Sequence, residues 1–252
     1  MKVFFIDKYS FLTFVIMFSL AGFLFSSADN TAPVYSSFGE KVPIYSVETD
    51  EKVVSVTFDT AWGNEDTGEI LKVLKDGNCS ATFFITGEWA DKFPEDVKKI
   101  YDAGHEIANH GNTHTHFSSL SRQEMADNIS ACDGKIKKIT NQSEVLFRAP
   151  YGEYNKTLLS VCEATGRYII QWSKDSLDYK GLTAEKMKER IFKNLKNGDI
   201  ILFHTGTDNT ASALPEILTS LKNEGYSFKP VGEIICRDNF TIDHEGRQKP
   251  LP

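Results

Sequence analysis

Five apolar runs in this 252-residue chain lead into side chains that can move a proton, carry a charge or bind a cation. Val53–Phe58 ends at Asp59, His105–Ala108 leads to His110, and Glu144–Phe147 to Arg148. Arg167–Trp172 leads to Asp175 and Asp178, and Asp199–Phe203 to His204. Polar residues follow many strands because loops are wet, so any one of these positions says little. Together they supply a carboxylate base, a metal-binding imidazole, an orienting cation, a second carboxylate and an imidazolium acid. In a parallel α/β barrel such side chains gather at the carboxyl ends of the strands. The sharpest local signal is His110-Gly111-Asn112-Thr113-His114. If that segment makes a helical turn, its two imidazoles point the same way and suit a divalent metal such as zinc. The competing reading is a pair of solvated loop histidines, and His116 beside them shows that the region is simply rich in histidine.

Positioning these residues requires strands alternating with helices. The β-branched run Val53–Phe58, the apolar run Ala81–Ile85 and the shorter runs named above read as strands. Pro43–Val47 reads as a short edge strand, since proline is tolerated at a strand start, and Ser227–Val231 as a last one. Between them, Ile70, Leu71 and Leu74 recur at helical spacing, as do Val97, Ile100 and Tyr101, and Met125, Ile129, Cys132 and Ile136. Ser121 with Glu124 forms a capping box for the third of these helices. Further helices are expected around Leu158–Cys162, from Thr183 to Asn197 with Gly198 as its stop, and over Leu214–Leu221. No phosphate-binding glycine motif is present. Strand–helix alternation over about seven units predicts a parallel sheet wrapped by helices, closed or nearly closed into a barrel.

The bulk numbers agree with a folded enzyme-sized domain. Hydrophobic residues make up 40% of the chain and charged residues 25%, which excludes a disordered or fibrous protein. A net charge of −7 argues against a nucleic-acid partner, which would call for a basic face. Cys79, Cys132, Cys162 and Cys236 are scattered, with no CxxC pair, and read as buried thiols. Residues 1–28 combine Lys2 and Lys8, an apolar stretch from Phe11 to Phe25, and Ser26-Ser27-Ala28. That pattern is a signal peptide or an uncleaved N-terminal membrane anchor, and either outcome places the rest of the chain outside the cytoplasmic membrane. Residues 29–44 read as a spacer, 45–236 as the folded domain, and 237–252 as a loose polar tail.

Thr57-Phe58-Asp59, His110-x-x-x-His114, Arg148-Ala149-Pro150-Tyr151-Gly152, Asp175-x-x-Asp178 and Leu202-Phe203-His204 follow one another at suitable separations. In that order they resemble the five motifs of the polysaccharide deacetylases of carbohydrate esterase family 4, the NodB-homology domain. Tyr45–Thr49, Trp62-Gly63, Gly87–Ala90 and Trp172-Ser173-x-Asp175-Ser176 are similar to the PdaB-type sporulation branch. The resemblance implies a distorted (β/α) barrel of seven to eight units in a single domain. It also implies metal-assisted hydrolysis of the N-acetyl amide of a peptidoglycan or related amino sugar. Asp59 would take a proton from the attacking water, and His110 and His114 would hold the cation that polarises the carbonyl. His204 would protonate the departing amine, kept protonated by Asp178, and Arg148 would orient Asp59. The Tyr151 main chain would join an oxyanion site. Leu202, Tyr179 and Tyr151 would line a slot for the acetyl methyl, and Asp175 would contact the substrate.

The sequence departs from that pattern at Thr60, where the family places a second aspartate as third metal ligand. Two imidazoles leave a catalytic zinc site one ligand short, so Glu65, Asp66 or Asp59 must complete it, or the metal is weak or dispensable. Tyr179 stands where tryptophan is common and keeps a flat wall with a polar tip. The leading expectation is thus an exported glycan N-deacetylase. The alternatives are a metal-poor glycan-binding relative and a small-amide hydrolase on the same barrel.

Overall fold

A computed structural model describes residues 41–143 and 145–251. The expected signal or anchor segment, and all but the end of the spacer, lie outside the described residues. No described helix is long and apolar enough to cross a membrane.

After a two-residue strand β1 (Ser46–Val47), the chain enters β2 (Val53–Thr60), all eight residues of which are buried. A strand covered on both faces needs no polar side, so β2 reads as a nearly unbroken β-branched and aromatic run. Helix α1 (Thr67–Asp76) returns it to β3 (Ala81–Ile85), and α2 (Gly87–Lys92) and α3 (Pro94–Asp102) lead to β4 (Glu106–Asn109). Helix α4 (Arg122–Thr140) begins at the expected capping box, with the Ser121 hydroxyl and the Glu124 carboxylate each satisfying the other's backbone N–H. Next come β5 (Leu146–Phe147), α5 (Lys156–Ala164), β6 (Tyr168–Ile169), β7 (Lys174–Asp175), α6 (Ala184–Phe192) and β8 (Asp199–His204). The chain finishes with α7 (Thr210–Asn223), β9 (Ser227–Phe228), α8 (Val231–Ile234), β10 (Phe240–Ile242) and β11 (Arg247–Pro250).

Strand β2 lies at the centre, parallel to β3 on one side and to β8 on the other, and β4, β5 and β6 continue the parallel order beyond β3. The other edge of β8 is shared by β1 and β7. Ile44 bridges the remaining gap: its N–H donates to the Ile169 carbonyl and its own carbonyl accepts from Gln171 N–H, at 2.9 and 2.7 Å. The result is the expected distorted barrel of a single domain. Along β2 the pleat alternates. Val54, Val56 and Phe58 join the core shared with the helices, where Phe58 stacks on Phe83 at 4.8 Å between centroids. Thr57 and Asp59 share the opposite, inner face, and both meet the same guanidinium.

Several expectations need correction. The residues around Pro43–Val47 do not form an edge strand, because β1 sits between β8 and β11. The tail is not loose: β10 and β11 make an antiparallel hairpin, and β11 pairs in parallel with β1. Its polar composition conceals this, since Gln248 is fully buried with its amide bonded to both the N–H and the carbonyl of Cys236. The helix expected to run to Asn197 stops at Phe192, where buried Lys174 donates to the carbonyls of Lys193 and Asn194. The strand expected over Arg167–Trp172 is reduced to β6 and the Ile170 bridge. Of the thiols, Cys79, Cys132 and Cys162 are buried and Cys236 partly so, none in a disulfide.

Candidate active site

Asp59 stands one residue before the end of β2, in register with His204 on β8. Beneath it lies Arg148, fully buried just after β5. Its Nη1 donates to Asp59 Oδ1 at 2.7 Å and to Thr57 Oγ1 at 2.9 Å, Nη2 donates to the Gln171 carbonyl and Nε to that of Ile170. The guanidinium plane also covers the Phe84 ring at 3.9 Å. Burial opposes ionisation of Asp59, but the charges of His110, Arg148 and His204 more than offset it, so its pKa lies below the ordinary value. Burial pushes His110 itself down. Arg148 is therefore the lasting cation that keeps Asp59 a carboxylate.

The segment from His110 to His114 is a loop, not the helical turn that the spacing allowed. Gly111 turns it at a φ of +78°, its carbonyl accepting from Gly87 N–H, while the Asn112 carbonyl accepts from Glu88 N–H. Asn109 and Asn128 hold it from the other side by accepting the N–H groups of Gly111 and Asn112. Even so the two rings come together, with centroids 5.2 Å apart. His110 donates Nδ1–H to the Arg148 carbonyl at 2.8 Å, which leaves Nε2 with a lone pair 3.5 Å from Asp59 Oδ2. That nitrogen is buried without a hydrogen-bond partner, and so is the Thr60 hydroxyl. Burial lowers the pKa of His114 to about 4, so it too is neutral at pH 7.

An orphaned imidazole nitrogen beside a second neutral imidazole suits a metal, but a third ligand is missing. Among the described residues no three His, Cys, Asp or Glu side chains gather to hold one. Asp66, one candidate to complete the set, spends both carboxylate oxygens on Gly206 N–H, at 2.9 and 3.0 Å. Glu65 does not join the pair either. Thr60 offers a hydroxyl that stays protonated near neutral pH. The residues present therefore do not fit a three-ligand zinc centre.

The other side of the cavity is fully bonded. Asp178 accepts His204 Nδ1–H at 2.8 Å and Tyr179 N–H at 3.0 Å on Oδ1. Its Oδ2 accepts His204 N–H at 2.7 Å and the Thr210 hydroxyl at 2.6 Å. Burial alone would lower the pKa of His204, but the bond to Asp178 and the charges of Asp178, Asp59 and Asp175 reverse that, and the net shift is upward. Asp175 is held by an Oδ1 contact to Leu177 N–H, and burial raises its pKa.

Between the two sides lies a cavity of about 590 Å³ lined by Asp59, His114, Tyr151, Asp175, Asp178, Tyr179, Leu202 and His204. Eight of the ten residues expected from the sequence thus face one space, and His110 and Arg148 support it from behind. Leu202 is both cavity wall and core, being almost fully buried. Tyr151 is held at a φ of +60°, a strained setting for a tyrosine that points to a constrained functional turn. Gln171 secures that turn by donating its side-chain N–H to the Gly152 carbonyl at 3.0 Å. Sequence reasoning did not assign a site role to Trp62, which lies 5.0 Å from His114 and 5.9 Å from His204 between ring centroids. Trp172, Thr57 and Thr210 were likewise unassigned. The signal for Trp62 was its place three residues after Asp59, in the loop that leaves the central strand.

The sequence profile of the polysaccharide deacetylase family matches residues 46–170. The peptidoglycan-N-acetylmuramic acid deacetylase PdaA of Bacillus subtilis is 30% identical over 203 residues, which are 79% of this chain and 77% of PdaA. An uncharacterized Bacillus subtilis protein, YlxY, is 28% identical over 193 residues, covering 77% of this chain, which spans 60% of YlxY. Among solved structures, a CE4 family pseudoenzyme from Bacillus anthracis matches with a TM-score of 0.74 and 30% identity, over 79% of this chain and 71% of that one. A barrel with an aspartate and a histidine facing one cavity at its strand ends, matched in this way, defines a class of hydrolases acting on carbon–nitrogen bonds other than peptide bonds. The chain belongs to the polysaccharide deacetylases of carbohydrate esterase family 4. Deacetylases of this family are generally metalloenzymes, which sets Thr60 apart.

Proposed function

We propose that this chain removes N-acetyl groups from the amino sugars of a cell-wall or spore glycan. The observation that carries the reading is the pairing across one cavity of Asp59, held ionised by Arg148, with His204, held protonated by Asp178. Asp59 takes a proton from water as the water oxygen bonds to the acetamide carbon. His204 then gives its proton to the nitrogen as the C–N bond breaks, leaving acetate and a free amine. The Tyr151 N–H would meet the developing oxyanion, and Leu202, Tyr179 and Tyr151 would take the methyl group. No step is assigned to a metal on the His110–His114 pair. The N-terminal export pattern supports action outside the cytoplasmic membrane, as a secreted or tethered protein, and the Trp62-Gly63 and Gly87–Ala90 segments support a sporulation role of the PdaB type.

Acetate release from N-acetylglucosamine oligomers and from purified glycan strands, with and without added zinc or cobalt, tests the reading. Asp59→Asn and His204→Ala should each abolish release while the chain stays folded. Parent-like release by both variants would sink the mechanism. Thr60 favours a second reading, a member that binds glycan without turning it over. Binding of the same strands with no acetate under any metal condition would select it.

A further inference from the structure

The charges around the cavity are unbalanced. Four aspartates line it, Asp59, Asp175, Asp178 and Asp208, and its lining contains no lysine or arginine. Two of the four are compensated, Asp59 by Arg148 and Asp178 by His204. Arg148 has nothing left for a ligand, since it is fully buried and its donors go to Asp59, Thr57 and two carbonyls. Asp208 is exposed at the mouth, and Asp175 lies deeper. Two further bases stand outside the lining. Lys180 sits 5.8 Å from the centre of the Tyr179 ring, and Arg190 gives its Nε–H to the Asp175 carbonyl. Opposite these acids is a wall of rings: Trp62 on His114, His114 edge-on to Tyr151 at 4.6 Å, and Tyr151 stacked on His116 at 4.1 Å. About half of the Trp62, Tyr151 and Tyr179 surfaces is open to a ligand.

Resting on the deacetylase reading, we propose that this cavity selects glycans by charge: it accepts a reacting sugar and neighbours that carry no anionic group and turns away those bearing a free carboxylate. Flat apolar rings accept the face of an uncharged sugar. A carboxylate brought beside Asp175 and Asp208 meets like charge, with no lysine or arginine in the lining and His204 already paired to Asp178, and such juxtaposition is a strong device against a wrong partner. An N-acetylglucosamine run satisfies this rule, and so does a strand whose muramyl carboxylates are tied up as amides. A peptide-free strand with open lactyl carboxylates does not.

Three probes separate charge from size: an N-acetylglucosamine oligomer, peptide-free glycan strands, and the same strands with their carboxylates converted to methylamides. With the full chain, kcat/KM for acetate release should be about tenfold or more lower on the free-carboxylate strands than on the amidated ones. The gap should shrink as salt is raised, since the screening length falls from about 10 Å at 0.1 M to about 3 Å at 1 M. Asp208→Lys should narrow it or reverse it. Equal rates on the two kinds of strand, or a gap unchanged by both salt and Asp208→Lys, would overturn the charge rule. Calorimetric titration with the same probes gives a second readout. If no probe yields acetate, the deacetylase reading fails, while the affinities still decide the rule: tighter binding of the amidated strand upholds it and equal binding ends it.

Discussion

The two walls of the cavity are built to different standards. On the β8 side, both Asp178 oxygens are engaged, with four donors converging on them, and the imidazole they hold is fixed in tautomer, orientation and charge. On the other side, the His110 Nε2 and, at the end of β2, the Thr60 hydroxyl are buried without a hydrogen-bond partner. Leaving buried polar atoms unpaired costs roughly 1–3 kcal/mol each, so a fold keeps them only where something else takes up the cost. The contrast teaches that the Asp178–His204 half of this site is self-sufficient in hydrogen bonds, whereas the His110–His114 half lacks a third metal ligand among the described residues. Asp59 joins the two halves, one oxygen on Arg148 and the other toward His110.

Removing what the halves share breaks the comparison altogether. Arg148→Met should have the largest effect, because it leaves Asp59 as an uncompensated buried charge. We expect a stability loss of about 3–5 kcal/mol by denaturant titration, with activity lost even in the folded fraction. An unchanged unfolding midpoint would show that Asp59 is not held as described.

Asp178→Asn attacks the bonded side alone. The His204 pKa is raised in the folded chain, so as the proposed acid His204 would work below that pKa and stop as pH rises through it. The variant removes the carboxylate whose hydrogen bond and charge raise that pKa, so the alkaline limb of the rate profile should move to lower pH, and the rate at neutral pH should fall by about 10²–10⁴. Stability follows the same window: the His204–Asp178 contribution is complete below pH 6.5 and is lost as pH rises through the folded value. Parent and variant should therefore converge in stability at high pH.

Thr60→Asp tests the open side, by putting at the end of β2 the carboxylate that the resemblance places there as third metal ligand. Equilibrium dialysis with zinc should show an affinity gain of about tenfold or more. His110→Ala in the same background should cancel it. An affinity unmoved by the substitution would mean that position 60 does not face the imidazole pair.

What the sequence disclosed follows the same division. Asp59 and His204 were legible because each lies at or next to the end of a strand whose buried run is unmistakable, and because strand ends converge in a parallel barrel. The capping box of α4 was legible for a local reason, as both of its partners lie within four residues. Illegible were contacts that depend on long-range placement. Arg148 draws on two backbone carbonyls, and the Thr210 hydroxyl reaches Asp178 across thirty-two positions, which no composition signal marks. The turn at Gly111 replaced a helical one because loop carbonyls pair with α2, a helix the apolar spacing did not reveal. The C-terminal hairpin was missed because a strand whose polar groups are met by backbone and by one buried amide needs little apolar content.

Asp66 gives the smallest effect and the finest distinction. The sequence offered it as a metal ligand, whereas it fastens the loop carrying Trp62 to the loop after His204 through Gly206 N–H. Space there is tight, since a methyl group on Gly206 would come within 2.8 Å of Gly63 N. Burial raises the pKa of this carboxyl, so its ionised form is disfavoured by folding, and stability declines as pH rises from 3.8 to the folded value and then stays level. Asp66→Asn keeps a neutral acceptor for the same N–H. It should therefore match or slightly exceed the parent in thermal stability above that window and equal it below, with metal affinity unchanged. Asp66→Ala removes the acceptor and should slacken both loops, raising KM more than it lowers kcat, because Trp62 lines the cavity and transfers no proton. A loss of metal affinity in Asp66→Asn would instead return this carboxylate to the imidazole side, and the two walls would no longer differ as described.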